Sequence, residues 1–176
     1  MQQQIVFTLS AQDTPGIVTT ISTVVSEHGG NWLDSRMSQL AGEFVGIVHV
    51  GVDLDKKSSL ETALLALSDK GITVEIRQSA AQTNTKHAGL RLHQIQLIGQ
   101  DRPGIVTELS RLFSSRQINI FELDTQISDA SMAGGVLFNA DAVVGVDKSI
   151  DLDELLDYLH ELADALSLDI EWTAHI

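Results

Sequence analysis

The chain is predicted to be an α+β protein made of two tandem βαββαβ units, each an antiparallel sheet carrying both of its helices on one face. Three observations predict this: a segment that recurs at a fixed spacing, the same order of apolar periodicities in both halves, and a polar stretch between them. The segment from Leu9 to Thr19, which contains Gln12-Asp13-Thr14-Pro15-Gly16-Ile17-Val18, returns between Leu97 and Thr107 as Gln100-Asp101-Arg102-Pro103-Gly104-Ile105-Val106. The offset is 88 residues, and at the same offset Ser22 falls on Ser110, Ser26 on Ser114 and Asn31 on Asn119. The only 2 prolines of the chain, Pro15 and Pro103, stand at matching places in the two copies, so both halves keep one rigid corner.

The elements follow in order. Ile5, Phe7 and Leu9 alternate as a half-buried strand. Pro15-Gly16 then opens a helix, with the proline expected at its first position, and Ile17, Ile21, Val24 and Val25 share one face. Gly29 and Gly30 stop it. A second strand starts near Asn31, turns at Ala41-Gly42-Glu43, and returns through Val48, Val50 and Val52 as the other arm of a hairpin. Ser58 with Glu61 has the form of a capping box, which predicts the start of a second helix with Leu60, Leu64 and Leu67 as its stripe. Gly71 ends that helix, and Ile72, Val74 and Ile76 supply the last strand.

The second half repeats the order. Ile95 and Leu97 give its first strand, and Ile105, Leu109, Leu112 and Phe113 its first helix. A hairpin turns between Asp129 and Gly135, Asp151 and Glu154 open a second helix, and Leu168, Ile170 and Trp172 close the unit. This βαββαβ order is the ferredoxin-like one. The polar stretch 79–89, without large apolar residues and ending in glycine, reads as a linker, so the expected units are 1–78 and 90–176.

Composition narrows the function. A chain of 176 residues with 43% hydrophobic content has the means to build packed cores. It has no apolar run of the roughly 18 residues that a membrane helix needs, and Met1-Gln2-Gln3-Gln4 lacks the basic and apolar regions of a signal peptide. No cysteine is present, which excludes disulfides, a thiolate nucleophile and Cys-ligated zinc. A soluble, cytoplasmic protein is the expectation. A net charge of −13 opposes contact with a nucleic-acid backbone, since that affinity comes from Lys and Arg neutralising phosphates. The six histidines are scattered without ligand spacing, which predicts no metal site and surface or filler roles for each. No nucleophile and base can be paired into a catalytic constellation, so no enzymatic activity and no cofactor are expected.

What remains is the repeated Asp-x-Pro-Gly corner. A proline at the first helical position fixes φ and lacks an N–H, and the glycine after it allows close approach, so the free N–H groups of Gly16 and Ile17, and of Gly104 and Ile105, at the positive end of the helix dipole form a seat for a carboxylate. Asp13 and Asp101 stand just before it and can accept from an ammonium, so an α-amino acid finds opposite charges at its two ends. Asn31 and Asn119 are expected to add a donor and an acceptor near the same end of the sheet. The same aspartates and asparagines also serve as turn and capping devices, and spacing alone does not choose between the two roles.

At these residues the chain resembles the ACT domain family, and within it the tandem ACT regulators of the glycine cleavage repressor type. The matching positions are Asp13-x-Pro15-Gly16-Ile17-Val18, Asn31-x-x-Asp34-Ser35-Arg36 and Gly42-Glu43-Phe44, and in the second copy Asp101-Arg102-Pro103-Gly104-Ile105-Val106 and Asn119-Ile-x-Glu122-Leu123. The resemblance implies a non-catalytic regulator that senses glycine or a similar amino acid and restrains a transcriptional activator by protein contact. It implies a ligand held where two modules meet, between the first loop of one and the second strand of its neighbour, by Asp13, Gly16, Ile17 and Asn31 and by Asp101, Gly104, Ile105 and Asn119. Asp124 stands where the first copy has Arg36, so the two sites are not chemically equivalent; Arg36 is also available to an acid such as Asp34 across the hairpin.

Two other readings stay open: a ligand-independent protein-interaction module, for which the acids from Asp147 to Glu171 would attract a basic partner, and a stand-alone regulatory subunit of a metabolic enzyme. Exposed sheet edges favour a homodimer.

Overall fold

The computed structural model describes residues 2–77, 89–129 and 135–174. The chain divides into two compact units, Met1–Thr83 and Asn84–Ile176. Residues 78–88, which include all of the expected linker 79–89 except Gly89, and residues 130–134, within the expected second hairpin turn, lie outside the described residues.

In the first unit, alternating residues of β1 (Gln2–Gln12) place Ile5, Phe7, Leu9 and Ala11 on a buried face. Helix α1 (Ile17–Glu27) follows, then the hairpin of β2 (Asn31–Leu40) and β3 (Glu43–Asp53), helix α2 (Leu54–Leu65), a 3₁₀ turn (Ala66–Lys70) and β4 (Thr73–Arg77). The strands lie in the order β2-β3-β1-β4, all neighbours antiparallel. Ile17, Ile21 and Val25 recur at the four-residue interval that lines one side of α1, and with Leu60, Leu64 and Leu67 they cover one face of the sheet. Phe7, Ile21, Leu60 and Leu64 are fully buried, and each such side chain contributes about 1.5–3 kcal/mol relative to an exposed one. The other face of the sheet has no helix of its own unit over it.

The second unit repeats the plan with β5 (Arg91–Gln100), α3 (Ile105–Ser115), β6 (Asn119–Asp129), β7 (Val136–Val146), α4 (Leu152–Leu166) and β8 (Leu168–Ala174), in the order β6-β7-β5-β8. Ile95, Leu97, Leu109, Phe113, Leu155 and Leu159 form its centre. Asp151 caps α4 by accepting from the Asp153 N–H at 3.0 Å. One histidine is a core residue: His93 is 6% exposed, with its ring 4.7 Å from that of Trp172. Burial, and then the charge of Arg91, hold its pKa below the ordinary 6.5, which keeps the imidazole neutral.

Two expectations about helix starts need correction. The Ser58–Glu61 pair does not open α2, which begins at Leu54 directly after Asp53. β3 runs into the helix without a loop: Asp53, its last residue, pairs with Gln2 of β1 and is also the N-cap of α2. Ser58 therefore sits inside the helix, where its carbonyl accepts the Thr62 hydroxyl at 2.9 Å. Likewise Pro15 and Pro103 are not first helical residues. The N-caps are Gly16 and Gly104, at φ 99° and 102°, and the prolines precede them. Proline followed by a glycine with strongly positive φ and ψ near zero is the pair that a type II turn requires, and this turn delivers the chain to each helix.

Candidate functional site

A helix whose N-cap is glycine has no side chain to accept its first N–H groups. In both units the first helix is in that condition, and a left-handed glycine leads into it from the end of β1 or β5. A Cβ added at Gly16 or Gly104 would meet no atom within 4 Å, so the ground over each corner is open. The corner is pinned from the other side: the Asp13 N–H donates to the Gly42 carbonyl and the Asp101 N–H to the Val136 carbonyl, both at 2.8 Å. The hairpin thus fixes where each aspartate stands.

Over the first corner lies a cavity of about 120 Å³ lined by Asp13, Thr14, Gly16, Ile17, Val18, Thr19 and Phe44. It has room for a few waters or one small solute. Three residues expected at the site, Asp13, Gly16 and Ile17, come together in it. Phe44 is a wall that the spacing argument missed; it reaches the cavity because it pairs with Ala11, two residues before Asp13, and only the strand register reveals that. The helix start supplies N–H donors and positive potential, the Asp13 carboxylate supplies an acceptor, and Phe44 supplies an apolar side. That combination accommodates a small zwitterion.

The second corner differs in charge. Arg102 replaces Thr14 and donates to the Ala165 carbonyl at 2.9 Å, a cation at the last turn of α4, where the helix dipole favours it. The first turn of α3 also holds its own carboxylate, Glu108, paired with Arg111 at 2.9 Å, whereas α1 has no acid in its first turn. The α1 seat is therefore the less occupied of the two by the protein's own charges.

Asn31 and Asn119 do not join these corners within their own units, contrary to the sequence expectation. Asn31 pairs with Gly51, which pairs with Gln4, while the corner follows Gln12. At about 3.3 Å per residue the two rows are roughly 26 Å apart. Asn119 stands in the same relation through Gly145 and Leu92. The reason is the intervening helix, which begins at one end of the sheet and returns the chain to the other. Asp34 and Arg36 lie farther along β2 on the open face, and the Asp34 carboxylate accepts the N–H of its neighbour Ser35 at 2.8 Å. Among the described residues no group of three or more His, Asp or Glu is placed to hold a metal ion, and no helix is long and apolar enough to cross a membrane.

The chain is 27% identical over 130 residues to the glycine cleavage system transcriptional repressor of Escherichia coli, an alignment covering 73% of this chain and 67% of that protein. A repressor of the same name from Shigella flexneri matches equally. Among solved structures, a protein of unknown function from Galdieria sulphuraria superposes over 100% of both chains with a TM-score of 0.83 at 25% identity. The crystal structure of a candidate glycine cleavage system transcriptional repressor superposes over 98% of this chain and 97% of its own with a TM-score of 0.71 at 21% identity, a likeness of fold. The ACT domain model matches residues 3–77 and again 92–173, once in each unit. With the βαββαβ order, the sheet order and the paired glycine corners already in place, this chain belongs to the ACT domain family and carries two copies of the domain.

Proposed function

We propose that this chain is a non-catalytic regulator whose ligand is a small amino acid, glycine or one of similar size, and whose output is contact with another protein, a transcriptional activator in the manner suggested by the name of its repressor relatives. The observation that carries the proposal is the α1 corner: a helix start without a side-chain cap, the Asp13 carboxylate and the Phe44 wall around one cavity of about 120 Å³. An amino acid would place its carboxylate at the N–H groups of Gly16 and Ile17 and its ammonium toward Asp13. Asp101, Gly104 and Ile105 form the corresponding seat on α3. Asn31 and Asn119 can reach such a ligand only from a different ACT module than the one whose corner holds it. Assembly of modules, as in a homodimer, would therefore complete the site, and the charge of −13 fits an output through protein rather than DNA.

Thermal melts of the whole chain with each common amino acid test this. A ligand present at about a hundred times its dissociation constant stabilises by about 2.7 kcal/mol, which raises the midpoint by several degrees. The shift is expected with glycine or another small amino acid and is expected to vanish in Asp13→Ala. If no amino acid moves the midpoint, the sensing role is wrong.

A further inference from the structure

The open face of the second sheet differs from that of the first in charge. Alternation puts Glu122 and Asp124 of β6, Asp141 of β7, and Asp169 and Glu171 of β8 on the side away from the helices, all exposed. Among the described residues of that face there is no Lys or Arg. The same face of the first unit mixes Asp34 and Glu75 with Arg36 and Arg77. The two copies of the fold thus differ, and among the described residues only the first face carries cations.

Two further features favour an occupant. Asp124 and Asp141 are direct cross-strand partners, a like-charge juxtaposition that destabilises a sheet, and the only relief described is one amide: Gln96 Nε2 donates to Asp141 Oδ1 at 2.6 Å. A groove of about 340 Å³ runs over all four strands, from Gln126 on β6 past Asn139 and Asp141 to Asp169 and Glu171, with the half-exposed Ile98 on its floor. From β6 to β8 is about 14 Å, which four or five residues of extended chain span.

We propose that this face is a docking surface for a cationic segment of a protein partner, an arginine- and lysine-rich stretch laid across β6, β7, β5 and β8. Guanidinium groups pair with Asp124, Asp141 and Glu171, and their aliphatic stems lie on Ile98. The acids that look like a single carboxy-terminal run in sequence are divided by the fold: those before Leu166 belong to α4 and its approach, while Asp169 and Glu171 join the sheet face. The inference concerns how a protein is contacted and does not depend on an amino acid occupying the α1 corner.

The probe is a fluorescein-labelled ten-residue peptide of alternating arginine and glycine, titrated with the full chain and read by anisotropy at low and at physiological ionic strength. Asp124→Asn, Asp141→Asn and Glu171→Gln together should weaken binding at least tenfold and flatten its salt dependence. A control with the same charge change on α4, Asp153→Asn, Asp157→Asn and Glu161→Gln, should stay within about twofold of the parent. Should the triple variant fail to fold, Asp124→Asn alone, on an exposed edge strand, is expected to bind several-fold less tightly. Equal weakening by face and control variants, or no binding by the parent, overturns the proposal. So does a face variant whose sedimentation shifts from oligomer to monomer, because a second copy of the chain would then be the occupant.

Discussion

Replacing Gly16 with alanine separates a conformational role for this corner from simple lack of space. The glycine lies at φ 99° and ψ −1°, and an added Cβ would meet nothing within 4 Å, so no steric clash with neighbours contributes. What remains is the backbone: an L-residue held in a left-handed conformation costs about 1–2 kcal/mol. If the corner could instead relax to negative φ, Gly16→Ala would stabilise by about 0.4–1 kcal/mol, because alanine has less freedom to lose on folding. The two cases differ in sign, which makes the measurement decisive. Each unit holds one of the 2 tryptophans, Trp32 beside the first core and Trp172 beside the second. Urea unfolding of Gly16→Ala in a Trp172→Phe background, followed through Trp32, therefore reads the first unit. A loss of about 1–2 kcal/mol is expected. A variant as stable as its parent, or more so, would refute the left-handed corner and the uncapped helix start that depends on it.

Three other outcomes are expected. Phe113→Ala, which removes a ring 1% exposed at the centre of the second core, should cost about 3–5 kcal/mol, reported by Trp172 fluorescence during urea unfolding. His93 has a lowered folded pKa, so the unfolded chain binds the proton more tightly: stability from this group is complete above 6.5 and is lost as pH falls from 6.5 through the folded value. Urea midpoints across that range should decline less in His93→Phe than in the parent, and parallel declines would remove the effect from His93. Arg102→Ala breaks the 2.9 Å bond to the Ala165 carbonyl and should cost about 0.5–1.5 kcal/mol by the same unfolding assay, while leaving the melting shift at the Asp13 corner intact.

Much of the fold was legible because its signals are local. Ile5, Phe7 and Leu9 alternate, Ile17, Ile21 and Val25 recur at helical spacing, and the second copy reproduces both patterns. Helix starts were read less well. A serine three residues before a glutamate has the form of a cap, yet α2 begins four residues earlier, at Leu54, directly after the strand residue Asp53. The candidate site was legible in part: the corner residues Asp13, Gly16 and Ile17 are neighbours in sequence and stay neighbours in space.

By itself, the sequence determined the duplication, which two segments 88 residues apart display directly, and the βαββαβ order and the two proline-glycine corners, which depend on residues close together in the chain. Only the tertiary structure decided that Phe44 walls the cavity, that Asn31 stands at the far end of the sheet, that His93 is a neutral core residue, and that Asp124 faces Asp141. The physical reason is that antiparallel register joins residues distant in sequence, and a helix laid along a sheet returns the chain to the opposite end. Neither effect leaves a periodicity to be read in advance.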